Sequence, residues 1–198
     1  MSADHAGPAT ALAARVRQLE ALLEDRGLVE ARKLDRALEA FLSGASPANG
    51  ARLVARSWLD AEFRARLLAD ANATLPELGL SMGGALAEQR LKVIQNTEDQ
   101  HNVIVCTLCS CYPLALLGPS PTWYKSPAYR SRVVRDPRRV LHEFGFMLDP
   151  AVKINVWDAN AESRYMVLPR RPVDTGNLDE EALAALVTRD GLIGVAPV

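Results

Sequence analysis

Cysteine, histidine and aromatic residues are all scarce in this chain, and each scarcity narrows what the protein can be. Three cysteines and three histidines occur in 198 residues. An odd number of cysteines cannot close into a disulfide framework within one chain. There is no second CxxC pair, so the usual structural zinc pattern of two ligand pairs is missing. No apolar run is long enough to cross a bilayer. Met1 is not followed by a basic stretch and an apolar core, so no signal peptide is expected. A net charge of −1 provides no bulk field that would call for nucleic acid or a membrane surface. Arg130, Arg132, Arg135, Arg138 and Arg139 do cluster. They lack the interleaved aromatics and the overall basic excess of a nucleic-acid face, and read as a solvated helix face or a subunit contact. There is no internal repeat and no low-complexity segment.

What the chain does have is concentrated. All three cysteines fall in Cys106-Thr107-Leu108-Cys109-Ser110-Cys111. Thiols packed this closely in a chain expected not to be secreted fit a metal site in a reducing, cytoplasmic compartment. A zinc knot completed by His101 or His142 is one reading. The spacing suggests another. Cys109 and Cys111 flank a single residue, so their sulfurs and the backbone nitrogens of Ser110 and Cys111 can lie in one plane as fused chelate rings. Cys106 can then approach along the axis. Five donors leave a sixth position open, as catalytic metals do. Thiolates and ionised amides suit low-spin Co(III) or Fe(III) better than zinc.

The stretch from His101 to Pro113 resembles the metal-binding claw of nitrile hydratase α subunits. The segments Ala51–Asp60, Trp123–Pro137, Val156–Pro169 and Leu186–Asp190 resemble that family as well. The likeness spans nearly the whole chain after its first ten or so residues, and the thiocyanate hydrolase γ subunit is a close relative. Thr107 at the second claw position resembles the cobalt type. The resemblance implies Co(III), with Fe(III) as the alternative and no organic cofactor. It implies a sulfinate at Cys109, a sulfenate at Cys111 and a thiolate at Cys106, with Cys109, Ser110 and Cys111 as catalytic residues. It implies hydration of a small nitrile to the amide, the attacking oxygen coming from the sulfenate or from a water activated at the metal. It also implies a β-type partner subunit that supplies cationic groups, in an α2β2 or related heteromer, and a metallochaperone or activator. Asp158, Glu162 and Arg164 match residues that orient the claw. Gln89 falls two places from the family's glutamine. Leu114 stands where the family commonly has a tryptophan of the pocket wall. The rival readings are a thiocyanate hydrolase metal subunit and a non-enzymatic zinc-binding interaction module.

The fold expected is α+β: an N-terminal helical region over 1–74, then a layered, metal-binding α/β domain with short strands over 75–198. Leu12, Val16, Leu19 and Leu23 recur at helical spacing from Ala11 to Arg26, with Gly27 placed to end the helix. A second helix carries Leu34, Leu38, Phe41 and Leu42 and ends at Gly44. Ser46-Pro47, Ser126-Pro127 and Asp136-Pro137 are cap-then-proline starts, and Asp60 and Asp179 are further caps. The last helix is expected to run through Leu186. Strands are expected at 91–95, 102–105, 152–157 and 165–168. The second of these feeds directly into the cysteine stretch.

Overall fold

The computed structural model describes residues 8–82, 89–109 and 111–198. The chain forms two compact units, one ending at Phe41 and the other spanning Leu42–Val198.

In the first unit, α1 (Pro8–Asp25) starts ahead of its apolar pattern. It ends where Gly27 adopts φ 67°. Leu28 N donates to the Leu23 carbonyl at 3.0 Å and Gly27 N to Glu24 at 2.8 Å. This pair of bonds is the Schellman closure that a left-handed residue makes possible. α2 (Ala31–Gly44) follows, and its last turn belongs to the second unit. Leu12, Val16, Leu19 and Leu22 of α1 are all exposed in this chain.

The second unit begins with α3 (Pro47–Leu59), α4 (Ala61–Ala69) and α5 (Ala71–Thr74). Their caps are the ones the sequence announces. Ser46 accepts from Ala48 N, and Asp60 accepts from both Glu62 N and Phe63 N. Each cap satisfies backbone donors that the helix itself leaves open. Asp70, not foreseen as a cap, starts α5 in the same way through Ala73 N.

Four strands follow: β1 (Arg90–Gln95), β2 (Gln100–Val105), β3 (Lys153–Asp158) and β4 (Ser163–Leu168). They pair as two parallel two-stranded sheets, β1 with β4 and β2 with β3. Parallel neighbours need a long crossover. Between β2 and β3 that crossover holds α6 (Leu114–Leu117), α7 (Pro127–Val133) and α8 (Pro137–Glu143). The chain closes with α9 (Glu180–Leu186) and α10 (Arg189–Ile193). The helical content therefore extends past Leu186, where the sequence pattern ends it: Thr188 caps α10 through Gly191 N at 3.1 Å. α6, with no side-chain cap to announce it, is likewise absent from the sequence pattern. The mixture of helices and short strands is the α+β class expected.

One core joins these elements. Leu53 and Val54 of α3, Phe63 and Leu67 of α4, Val103–Val105 of β2, Met166–Leu168 of β4, and Leu192 and Ile193 of α10 are fully buried. α3 packs on α9, α6 and α4, and α10 packs on β4 and β2. β2 is thus held from several sides, and the loop at its end starts from rigid ground.

Candidate metal centre

β2 runs without a break into Cys106, which is fully buried. Its parallel register with β3 sets Val105 opposite Asp158. The Ala159 N–H donates to the Val105 carbonyl at 2.7 Å and extends the pairing one step beyond β3. This register brings the Asp158 carboxylate to the first turn of the cysteine loop. One oxygen accepts from Thr107 N at 2.9 Å and the other from Thr107 Oγ1 at 2.5 Å. The aspartate fastens both the backbone and the side chain of Thr107.

The three sulfurs converge. Cys106 Sγ and Cys109 Sγ lie 3.3 Å apart, Cys109 Sγ and Cys111 Sγ 3.0 Å, and all three fall within 4.8 Å of one another. Cys109 N also donates to Cys106 Sγ at 3.3 Å. Two thiolates on one metal at ~2.3 Å are spaced ~3.3 Å apart at a right angle and ~3.8 Å at a tetrahedral angle. The separations of neighbouring sulfurs, 3.3 and 3.0 Å, lie nearer the right-angled value than the tetrahedral one, so they fit a square or octahedral ion better than structural zinc. Cys109 is exposed and Cys106 and Cys111 are buried. Burial, and then the hydrogen bond with Cys109, push the Cys111 thiol up to about 12. Arg164 pulls the other way, and a cation bound at the sulfur would reverse the balance. Ser110 lies outside the described residues.

The histidines take no part among the described residues. Buried His101 places Nε2 2.8 Å from the Gly194 carbonyl and Nδ1 3.1 Å from Asn96 Nδ2. Both ring nitrogens are engaged, and among the described residues the potential metal group is the three cysteines.

The remaining anticipated residues divide. Arg164 is buried in β4, and its Nη1 donates to the carbonyls of Asn160 and Ala161, holding the β3–β4 turn. Its charge acts on Cys111. Glu162 is exposed in that turn, where its backbone carbonyl accepts from Arg90 N at 3.1 Å. Gln89 is tied by its own carbonyl to Asn72 Nδ2 at 2.9 Å, beside the start of β1. Leu114 opens α6 three residues beyond Cys111, half-buried against the core. The described cavities are lined by none of the three cysteines. At the tip of the loop, Leu108 is 86% exposed.

Three further contributors are not evident from the sequence. Tyr124 Oη donates to the Cys111 carbonyl at 3.1 Å, and Tyr129 Oη to the Ile104 carbonyl at 2.7 Å. Both phenols are buried and desolvation raises their pKa values, so each stays a neutral donor. Arg130 Nη1 donates to the Cys109 carbonyl at 2.9 Å. The arginine cluster reads from sequence as a solvated face or subunit contact; Arg130 instead reaches the cysteine loop. The signal for all three is the aromatic-rich run Trp123–Arg130, whose rings stack edge to face beneath the loop.

The family described as nitrile hydratase, alpha chain, matches residues 10–196. The alpha subunit of the low-molecular-weight cobalt-containing nitrile hydratase of Rhodococcus rhodochrous is 51% identical over 185 residues, covering 93% of this chain and 88% of that one. A double mutant of the iron-type nitrile hydratase of Comamonas testosteroni Ni1 superposes with a TM-score of 0.87 at 42% identity, over 98% of this chain and 92% of that one. A recombinant thiocyanate hydrolase with partially modified cobalt centres gives a TM-score of 0.87 at 38% identity, over 97% and 90%.

Proposed function

The chain belongs to the nitrile hydratase alpha-chain family, and on that premise we propose that it is the metal-carrying subunit of a nitrile hydratase, a hydro-lyase that takes a small nitrile to its amide. The ion is Co(III), held by Cys106, Cys109 and Cys111 and by the backbone nitrogens of Ser110 and Cys111. The observation that carries this reading is the pair of sulfur–sulfur separations, 3.3 and 3.0 Å, at the end of a buried strand. Thr107, and relatives that contain cobalt, favour cobalt over iron. When bound, the metal supplies Lewis-acid polarisation of the C≡N bond.

The chain's own groups do the rest. Cys106, fully buried, keeps water from one side of the centre. Asp158 holds the loop through Thr107. Cys109 and Cys111 lie on the oxidation ladder open to activated thiolates; as a sulfinate and a sulfenate they set negative oxygens beside the site, and the Cys111 oxygen is available to attack the nitrile carbon. Arg164 supplies nearby positive charge. Among the described residues, no hydrogen bond ties the side chain of Glu162 or Gln89 to the loop. The exposed Leu108, and separately the exposed apolar stripe of α1, support a β-type partner that covers apolar surface. An α2β2 or related heteromer, an activator protein for metal loading and a cytoplasmic location belong to the same proposal. Among the described residues, no helix is long and apolar enough to cross a membrane.

The test is metal content with intact mass, followed by product analysis. One cobalt per chain, three added oxygens and an amide product are expected. Stoichiometric zinc with unoxidised thiols would sink the reading. Release of ammonia and carbonyl sulfide from thiocyanate would favour the second reading, a thiocyanate hydrolase subunit, which the equal structural likeness to that enzyme keeps in play.

A further inference from the structure

α7 sets two consecutive residues against the backbone on either side of Cys106. Tyr129 holds the Ile104 carbonyl before it, and Arg130 holds the Cys109 carbonyl after it. The helix that carries them is firmly fixed. Ser126 caps it through Tyr129 N at 3.1 Å, and Tyr129 and Val133 anchor it in the core. Arg130 forms no ion pair with a carboxylate among the described residues, unlike Arg132 and Arg139, which both meet Glu143. Its Nε is buried without a hydrogen-bond partner. An arginine kept half-buried, with an idle donor and no carboxylate paired to it among the described residues, is costly unless its charge is used where it points.

It points at one peptide group. The Cys109 oxygen belongs to the same planar unit as the Ser110 nitrogen, because the amide shares its electrons across the C–N bond. A cation on the oxygen therefore acts on that nitrogen in two ways. It fixes the plane in which the nitrogen presents its donor pair. It also draws electron density toward the oxygen, favouring the form of the amide in which negative charge rests there.

We propose that Arg130 is a positioning residue of the metal centre: its guanidinium holds and polarises the Cys109–Ser110 peptide so that the nitrogen of that peptide meets the metal. The inference rests on the reading that the cysteine loop holds cobalt through backbone nitrogen as well as sulfur. It gives one member of the arginine cluster a role that the others do not share.

The experiment uses the full chain, co-expressed with its partner subunit, as wild type and as Arg130→Lys, Arg130→Gln and Arg130→Met. Three quantities are read: cobalt kept under a chelator challenge, the energy of the sulfur-to-cobalt charge-transfer band, and the thermal midpoint of the metal-free chain. Arg130→Met is expected to lose cobalt about tenfold faster, within the range usual for groups that orient metal ligands. Its band should move to higher energy, because an unpolarised amide is the stronger donor and makes the metal harder to reduce. Arg130→Lys should restore much of both, Arg130→Gln less, and the metal-free midpoints should stay close together. A band and a retention rate in Arg130→Met equal to wild type, with wild type itself loaded, would overturn this assignment alone. So would retention that falls only in step with the metal-free midpoint while the band stays fixed. A wild-type chain that takes up no cobalt would overturn the reading of the loop, and this assignment with it.

Discussion

Replacing Asp158 by alanine removes two hydrogen bonds from the first turn of the cysteine loop at once. The carboxylate accepts from Thr107 N at 2.9 Å and from Thr107 Oγ1 at 2.5 Å. A buried charge-assisted bond contributes roughly 1.5–3 kcal/mol. Asp158 is exposed, so water takes over part of the role and about 1 kcal/mol per bond is the fair figure. The sum, about 2 kcal/mol, corresponds to a fall of about thirtyfold in the population of loops ready to receive metal. That falls inside the tenfold to hundredfold range typical of groups that orient metal ligands. Asp158→Asn keeps one acceptor for Thr107 N and should cost only about fivefold. The assay is the rate of cobalt loss to a chelator, read beside the thermal midpoint of the metal-free chain. The midpoint should fall by no more than about 4–8 °C, what 2 kcal/mol is worth in a chain of this size, because Asp158 lies outside the core and its loss leaves the packing intact. If Asp158→Ala keeps cobalt within twofold of wild type, the carboxylate does not hold the loop, and the register of β2 with β3 does not explain how the loop is fixed.

Leu114→Trp should restore bulk three residues past Cys111. If Leu114 faces the substrate, the ratio of kcat/KM for a bulky over a small nitrile should fall about tenfold, worth about 1.4 kcal/mol; an unchanged ratio with cobalt intact would assign the residue to the core. Gly194→Ala should unfold the C-terminal closure. Gly194 has φ +91°, and an added Cβ would sit 2.0 Å from the Asn102 carbonyl oxygen; a loss of about 3 kcal/mol or more is expected in urea denaturation, and a loss below about 1 kcal/mol would contradict the close approach. His101 gives a pH prediction. Burial lowers its pKa, and the Gly194 carbonyl opposes this only in part. The unfolded chain therefore takes up a proton near pH ~6.5 while the folded chain resists it. Stability should fall as pH drops below that value, because the unfolded state then binds more protons. The urea midpoint should decline from about pH 7.5 to about pH 5.5, and His101→Gln should flatten the decline; an equally steep decline in the variant would remove His101 as the cause.

Local chemistry is legible wherever cause and effect lie within a turn of helix. Ser46, Asp60, Ser126, Asp136 and Asp179 each cap a helix through an N–H two or three residues away. Gly27 and Gly145 end helices with positive φ. The strands appear within a residue or two of their apolar runs, and the cysteine stretch is legible too, since its three proposed ligands are neighbours in sequence. α6 and α10 escape notice for a local reason as well: each is one turn or little more, too short to display a period.

The chain order by itself thus determined the longer helices, the strands and which atoms could bind a metal, because those depend on nearest neighbours along the backbone. What it did not contain was who stands beside the loop. The parallel pairing of β2 with β3 brings Asp158 to Thr107. The packing of α7 beneath the loop brings Tyr129 to Ile104 and Arg130 to Cys109. The turn before β4 buries Arg164 within electrostatic reach of Cys111. These neighbours come from segments far apart in the chain, and no side-chain period records which strand another strand will choose. Only the buried core, by fixing register and helix placement together, selects the charges and hydroxyls that surround the three sulfurs.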